Sequence, residues 1–187
     1  IHEGHLQDAE AKAEECLLLA EKADLPLNTL IAHDLLSLVY QHDARPLEAA
    51  SHTYQLLLLA AQLDQADLLS YAAFRLMYLA ELAGEPVIRR HLVADWAGLF
   101  ANDPALASAW IDAEHKRLRA LANADEDRNL LNLIERAHHA EDPAERDHRL
   151  AEIEALAKRL DDELAAQGID PYDPDTWPEP APSSALT

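Results

Sequence analysis

The chain has 187 residues, enough for one well-buried domain and too few to expect two independent ones. Its 35 acidic and 15 basic side chains leave a net charge of −20, a field that repels phosphate backbones and anionic lipid and so argues against nucleic-acid or membrane-surface binding. Leu and Ala dominate, Val, Ile and Thr are scarce and only four Gly occur, which favours an all-α fold.

The chain opens on Ile1-His2-Glu3-Gly4-His5-Leu6, which runs straight into a helical pattern and reads as a cut from something longer. Proline suits the first turn of a helix, because the N–H it lacks would be unpaired there anyway. Pro26, Pro46, Pro86, Pro104 and Pro143 each precede an apolar-periodic run, and Glu85, Asp103 and Asp142 stand immediately before three of them, where a carboxylate serves as an N-cap. Asp142-Pro143-Ala144-Glu145 resembles a capping box. The predicted helices are 5–22, 26–42, 46–63, 66–83, 86–101, 104–122, 126–140 and 144–167. Their short connections make successive helices antiparallel.

Within the third of these, Leu47, Ala50, Tyr54, Leu57 and Ala61 recur at intervals of three and four and share a face. The surrounding run is apolar on all sides, as an inner member of a stack would be. The last helix carries one narrow stripe, Leu150, Ile153, Ala157, Leu160 and Leu164. A polar-backed terminal helix of this kind caps a solenoid; the same stripe could drive a coiled-coil dimer, though over few heptads. From Gly168 the chain becomes rich in proline and acid, and 168–187 is expected to be an extended or disordered tail after a helical domain at 1–167. Its Tyr172 and Trp177 give it a second reading, docking on the stack or on a partner.

Cys16-Leu17-Leu18-Leu19-Ala20 aligns without gaps on Leu56-Leu57-Leu58-Leu59-Ala60, an offset of 40 residues. Asp24, Asp64, Asp103 and Asp142, taken as caps of the even-numbered helices, and Pro46 with Pro86 keep nearly the same period. A repeated helix pair is the economical explanation.

Gly4-His5-Leu6-Gln7-Asp8-Ala9 followed by Ala13 and Cys16 resembles the second helix of a tetratricopeptide repeat. Leu36-Ser37 with Tyr40 resembles the first helix of the next repeat, and Ala50 with Tyr54 its second. The period exceeds the usual ~34 residues, as in the degenerate repeats of the superhelical arms of MalT-like bacterial transcription activators, and the match fades beyond about residue 64. The resemblance implies a right-handed α-α superhelix, a solenoid of about eight antiparallel helices. It also implies a concave groove lined by helices two, four and six, at Asp34 and Leu38, then Tyr71, Phe74 and Tyr78, then Asp112, Lys116 and Arg119. The aromatic trio is either a binding strip or part of the core.

Little chemistry stands out. The lone Cys16 excludes an intramolecular disulfide or a Cys-based zinc site, and its Leu-rich surroundings read as core. His2-Glu3-Gly4-His5 is one residue short of a His-Glu-x-x-His zinc motif. Glu135-Arg136-Ala137-His138 matches one element of a di-iron bundle, which needs two, with Asp112 and His115 as a poorer echo. His138, His139 and His148 read as solvated. No catalytic residue and no bound cofactor or metal is expected. With no signal peptide and no apolar run near ~18 residues, the default compartment is the cytoplasm. The leading expectation is a non-enzymatic domain that binds a protein or peptide, basic if charge governs the choice. A ligand-sensing segment of a regulator and a metal-carboxylate bundle enzyme are the alternatives.

Overall fold

The computed structural model describes residues 3–98 and 104–178, and every regular element among them is helical. In chain order these are α1 (Glu3–Lys22), α2 (Pro26–His42), α3 (Pro46–Gln62), α4 (Ala66–Leu82), α5 (Pro86–Asp95), α6 (Pro104–Arg119), α7 (Asp125–His139), α8 (Pro143–Ala165) and a 3-10 turn, η1 (Pro174–Thr176). The predicted boundaries hold within a few residues except in the fifth helix, whose regular part ends at Asp95; residues 99–101 of that prediction, and Asp103, lie outside the described residues. Neighbours in sequence are neighbours in space, α1 on α2, α2 on α3 and α3 on α4. Residues up to Arg89 form one compact unit with the segment that begins at Gly168, and Arg90–Gln167 form a second.

In the first unit the repeating element is half as long as the sequence period. Asp24, Ala44, Asp64 and Gly84 all have positive φ, at 52°, 58°, 53° and 83°, one every 20 residues. Each is the left-handed residue that ends a helix in a Schellman motif. The amide after it donates back to a carbonyl five residues earlier, Leu25 to Ala20, Arg45 to Tyr40, Gln65 to Ala60 and Glu85 to Ala80, each at 2.9 Å. The next helix then starts at once. Asp24 and Asp64 therefore terminate the preceding helix and do not cap the following one. The N-cap positions fall to Leu25, Arg45 and Gln65, none of which makes a side-chain capping bond. Burial raises the Glu85 carboxyl above its usual range, the opposite of what capping bonds would do. Asp142 does cap its helix, accepting from the Ala144 amide at 3.0 Å.

The core keeps the same rhythm. Leu36, Leu56 and Leu76 are almost wholly buried, each contributing about 2 kcal/mol of hydrophobic stabilisation. Ala49 and Ala50 are both fully buried, and their small side chains let α2 and α3 approach closely. Between those helices the Ser37 hydroxyl donates to the Ala49 carbonyl at 2.8 Å and lies 2.6 Å from Thr53 Oγ1, so the buried hydroxyls are satisfied. The buried residues of α3 are Ala49, Ala50, Thr53, Leu56, Leu57 and Ala60, so the expected stripe is buried at Ala50 and Leu57, half-buried at Leu47 and Tyr54 and exposed at Ala61. Cys16 is exposed too, a correction of the core reading, because α1 has a helix on the α2 side and none among the described residues on the side Cys16 faces.

In the second unit α7 packs on both α6 and α8. Ile111, Leu118, Ala124 and Leu131 form a small core with Trp110 against it. The predicted stripe of α8 is buried at Ile153, Ala157, Leu160 and Leu164.

The segment after Gly168 differs from a plain extended tail over its described part. η1 packs on α3, the Ser51 hydroxyl donates to Asp175 at 2.9 Å, and Trp177 is 5 % exposed. Its indole N–H donates to the Asp170 carbonyl at 3.2 Å, and the Asp170 amide donates to Thr176 Oγ1 at 2.8 Å. Proline density excludes helix and ladder but leaves a short looped segment free to fold around one large apolar side chain.

Candidate interaction groove

Along α2 the side chains of Leu27, Ile31, Leu35 and Leu38 are exposed at spacings of four, four and three, which places them in one line on the helix surface. Forty residues on, α4 exposes Tyr71, Tyr78 and Leu82 in the same phase, with Phe74 half-buried. Tyr71 is 41 % exposed, Tyr78 47 % and Leu38 36 %, so the two tyrosines are surface residues and Phe74 sits at the edge of the packing.

Asp34 and Tyr71 meet: the Tyr71 hydroxyl donates to Asp34 Oδ1 at 3.1 Å. The group that organises the contact was absent from the sequence reading. Arg75, one turn beyond Tyr71 and 7 % exposed, donates from Nη1 to Asp34 at 2.7 Å and to the Tyr71 oxygen at 2.7 Å. From Nη2 it reaches Gln41 at 3.4 Å. Burial raises the Tyr71 phenol above its ordinary value; Arg75 pulls against that and Asp34 adds to it. The phenol is therefore a protonated donor at neutral pH. A buried guanidinium is costly unless paired, and this pairing ties α2 to α4 while holding one exposed aromatic ring in place. The sequence carried one hint, a lone arginine within the otherwise apolar stretch Tyr71–Met77.

Behind this face lies a polar seam through the first unit. His33 on α2 and His52 on α3 face each other with Nδ1 atoms 2.9 Å apart, so one nitrogen donates and the other must be unprotonated. Burial, with His52 close by, lowers His33 to about 4. His52 is lowered mainly by burial, partly opposed by Glu14. The His52 ring stacks on Tyr40 at 5.3 Å. The Arg45 guanidinium lies 4.3 Å from the Tyr40 ring centroid and bonds Glu10 at 3.0 Å and Glu48 at 2.9 Å. Burial and then the Glu10 hydrogen bond push the Tyr40 phenol up to about 12. The seam joins α1, α2 and α3.

The remaining predicted groove residues, Asp112, Lys116 and Arg119, lie on α6 in the second unit, and all three are exposed. Near them Asp127 accepts from Arg117 at 2.7 Å and from Arg90 at 2.9 Å. Burial alone would raise its carboxyl, but the bonds from Arg117 and Arg90 hold it below the usual carboxylate range. His115 Nε2 is 2.6 Å from Glu135 Oε1, so the carboxylate of the Glu-x-x-His element engages an imidazole from α6. The His138 ring lies against His139 at 4.9 Å. No group of three or more His, Cys, Asp or Glu side chains suited to a metal ion occurs among the described residues. His115, Arg119, Arg128 and Asn132 line an open pocket of about 290 Å3 floored by Leu118 and Leu131. No helix among the described residues is long and apolar enough to cross a membrane.

No family model, curated protein or solved structure matches this chain.

Proposed function

We propose that the chain is a non-enzymatic interaction domain, a tetratricopeptide-like helical repeat that holds a protein or peptide partner within a larger bacterial regulatory protein of the cytoplasm. The observation that carries this reading is the exposed strip of Leu38, Tyr71 and Tyr78, with Tyr71 held by Arg75 and Asp34. Rigid, half-exposed aromatic rings beside aliphatic side chains are the composition that dominates binding energy at protein interfaces. A pre-ordered ring loses little entropy when a partner covers it. The net charge of −20 favours a partner with basic residues and gives the association a marked salt dependence.

The test is selection of a random 15-residue peptide library on the immobilised protein. Enriched peptides should combine apolar and basic residues, and the Tyr71→Ala/Tyr78→Ala variant should bind them at least tenfold more weakly while keeping its helicity. Failure to enrich any peptide, or binding indifferent to both substitutions, would refute the groove.

A second reading, a sensor of small anionic ligands, has one observation in its favour: the pocket on the α6–α7 hairpin, where His115, Arg119, Arg128 and Asn132 surround an apolar floor.

A further inference from the structure

The segment that rejoins the first unit after Gly168 has the build of a short peptide ligand. Pro171, Pro174 and Trp177, spaced three apart, are buried, while Asp170, Asp175 and Pro178 are exposed. Bonds within the segment close its loop. The Trp177 indole N–H donates to the Asp170 carbonyl at 3.2 Å, the Thr176 hydroxyl to the Asp173 carbonyl at 2.7 Å, and the Asp175 amide to the Asp173 carboxylate at 3.1 Å. A loop this short has too little surface of its own to take an indole and two proline rings out of water. The first unit supplies the remaining cover: η1 packs on α3, and the Ser51 hydroxyl donates to Asp175 at 2.9 Å. α3 has one carboxylate, Glu48, and no lysine or arginine, so a segment carrying Asp170, Asp173 and Asp175 meets little local repulsion there, in a chain whose net charge is −20.

We propose that this face of α3 is a binding site for short acidic segments of the pattern Pro-x-x-Pro-x-x-Trp, and that residues 171–177 occupy it in cis as a strap that shuts the site until it is released. Two features make the contact exchangeable. The bonds that shape the loop are internal to it, so it gives up little order on leaving. Its junction with the helical domain is Gly168, at φ 75°, where a Cβ would meet nothing within 4 Å, so the backbone there turns with no packing to undo. A short tether holds its ligand at an effective concentration on the order of 1 mM. A free segment of equal intrinsic affinity therefore displaces the strap only near that concentration, and weakening the strap opens the site to dilute ligand. The face is separate from the Leu38, Tyr71 and Tyr78 strip, which belongs to α2 and α4.

The probe is a fluorescein-labelled peptide with the sequence of residues 168–178, titrated by anisotropy against the full 187-residue chain. The Trp177→Ala chain, whose own strap has lost its indole, should bind the peptide saturably and at least tenfold more tightly than the parent does. A peptide that itself carries Trp177→Ala should bind neither. Ser51→Asp opens the site without touching the indole, by repelling Asp175 of the strap. That chain should take up a peptide carrying Asp175→Lys at least tenfold more tightly than the parent takes up the unaltered one. Adding Tyr71→Ala/Tyr78→Ala to the Trp177→Ala chain should leave peptide binding intact, which separates this site from the strip. The proposal is overturned if neither opened chain binds its peptide, if the parent binds as well as they do, or if the peptide lacking the indole binds equally.

Discussion

Two side chains that must share one hydrogen bond make the His33–His52 contact sensitive to pH. The bond at 2.9 Å needs one Nδ1 without a proton, and the surrounding charged groups, Glu10, Glu14 and Arg45, do not prevent burial from lowering both imidazoles, His33 to about 4. A histidine whose folded pKa is depressed contributes fully above its unfolded value of about 6.5, and that contribution is lost as pH falls towards the folded value. Between pH 7 and pH 5 the seam should therefore lose about 1–2 kcal/mol of stability. Urea titrations of the parent and of His33→Gln/His52→Gln at the two pH values would show it: the parent should weaken more than the variant, whose remaining pH dependence comes from carboxylates. The residue scale is also where sequence reasoning fell short at the candidate groove. Asp34, Leu38, Tyr71 and Tyr78 came from the tetratricopeptide resemblance, and the fold leaves Leu38, Tyr71 and Tyr78 exposed. Arg75 was not legible, since nothing in one helix says that an arginine will find a carboxylate 41 residues away at 2.7 Å.

Turn geometry governs the elements. Four Schellman turns, 20 residues apart, set where each helix stops, and their left-handed residue is Gly in one case, Asp in two and Ala in one. An L side chain with a Cβ pays for positive φ, and alanine has no polar atom to compensate. Ala44→Gly should accordingly stabilise the first unit by about 0.5–1 kcal/mol, and Gly84→Ala should destabilise it by a similar amount. A Cβ at Gly84 would meet no atom within 4 Å, so the second effect reports the backbone alone. Denaturation midpoints of the two variants should move in opposite directions; movement of both the same way would mean that packing, not φ, controls these turns. The punctuation was visible in the sequence as Asp and Pro at fixed offsets. The prolines and Asp142 do stand at helix starts; the assignment failed at Asp24 and Asp64, because an aspartate in a short interhelical turn can serve either neighbour, and the choice rests on the backbone bonds that only the folded turn forms.

At the scale of the molecule the first unit is discontinuous: it ends at Arg89 and takes up the chain again at Gly168. Trp177, 5 % exposed, is the large apolar side chain around which the returning segment folds, and η1 lies on α3. Truncating an indole so buried costs about 3–5 kcal/mol in a well-packed core; at this peripheral position, about 2–3 kcal/mol is expected for Trp177→Ala. Limited proteolysis should then cut between Gly168 and Trp177 in the variant at protease levels the parent survives. Equal resistance of the two proteins would remove Trp177 as the anchor.

The all-helical class, the number of helices and most of their ends follow from local causes: helix-forming composition, proline at first turns and apolar spacing act within a few residues of where they stand, so the sequence by itself determined them. Tertiary structure decided which of several equivalent apolar faces is covered. Cys16 and Leu56, or Leu35 and Arg75, occupy the same place in their repeats and differ in exposure because, among the described residues, a helix lies over one copy and none over the other. Burial belongs to the neighbour as much as to the residue, and that is why the repeat was legible in the chain while the exposure of its equivalent positions was decided only in the fold.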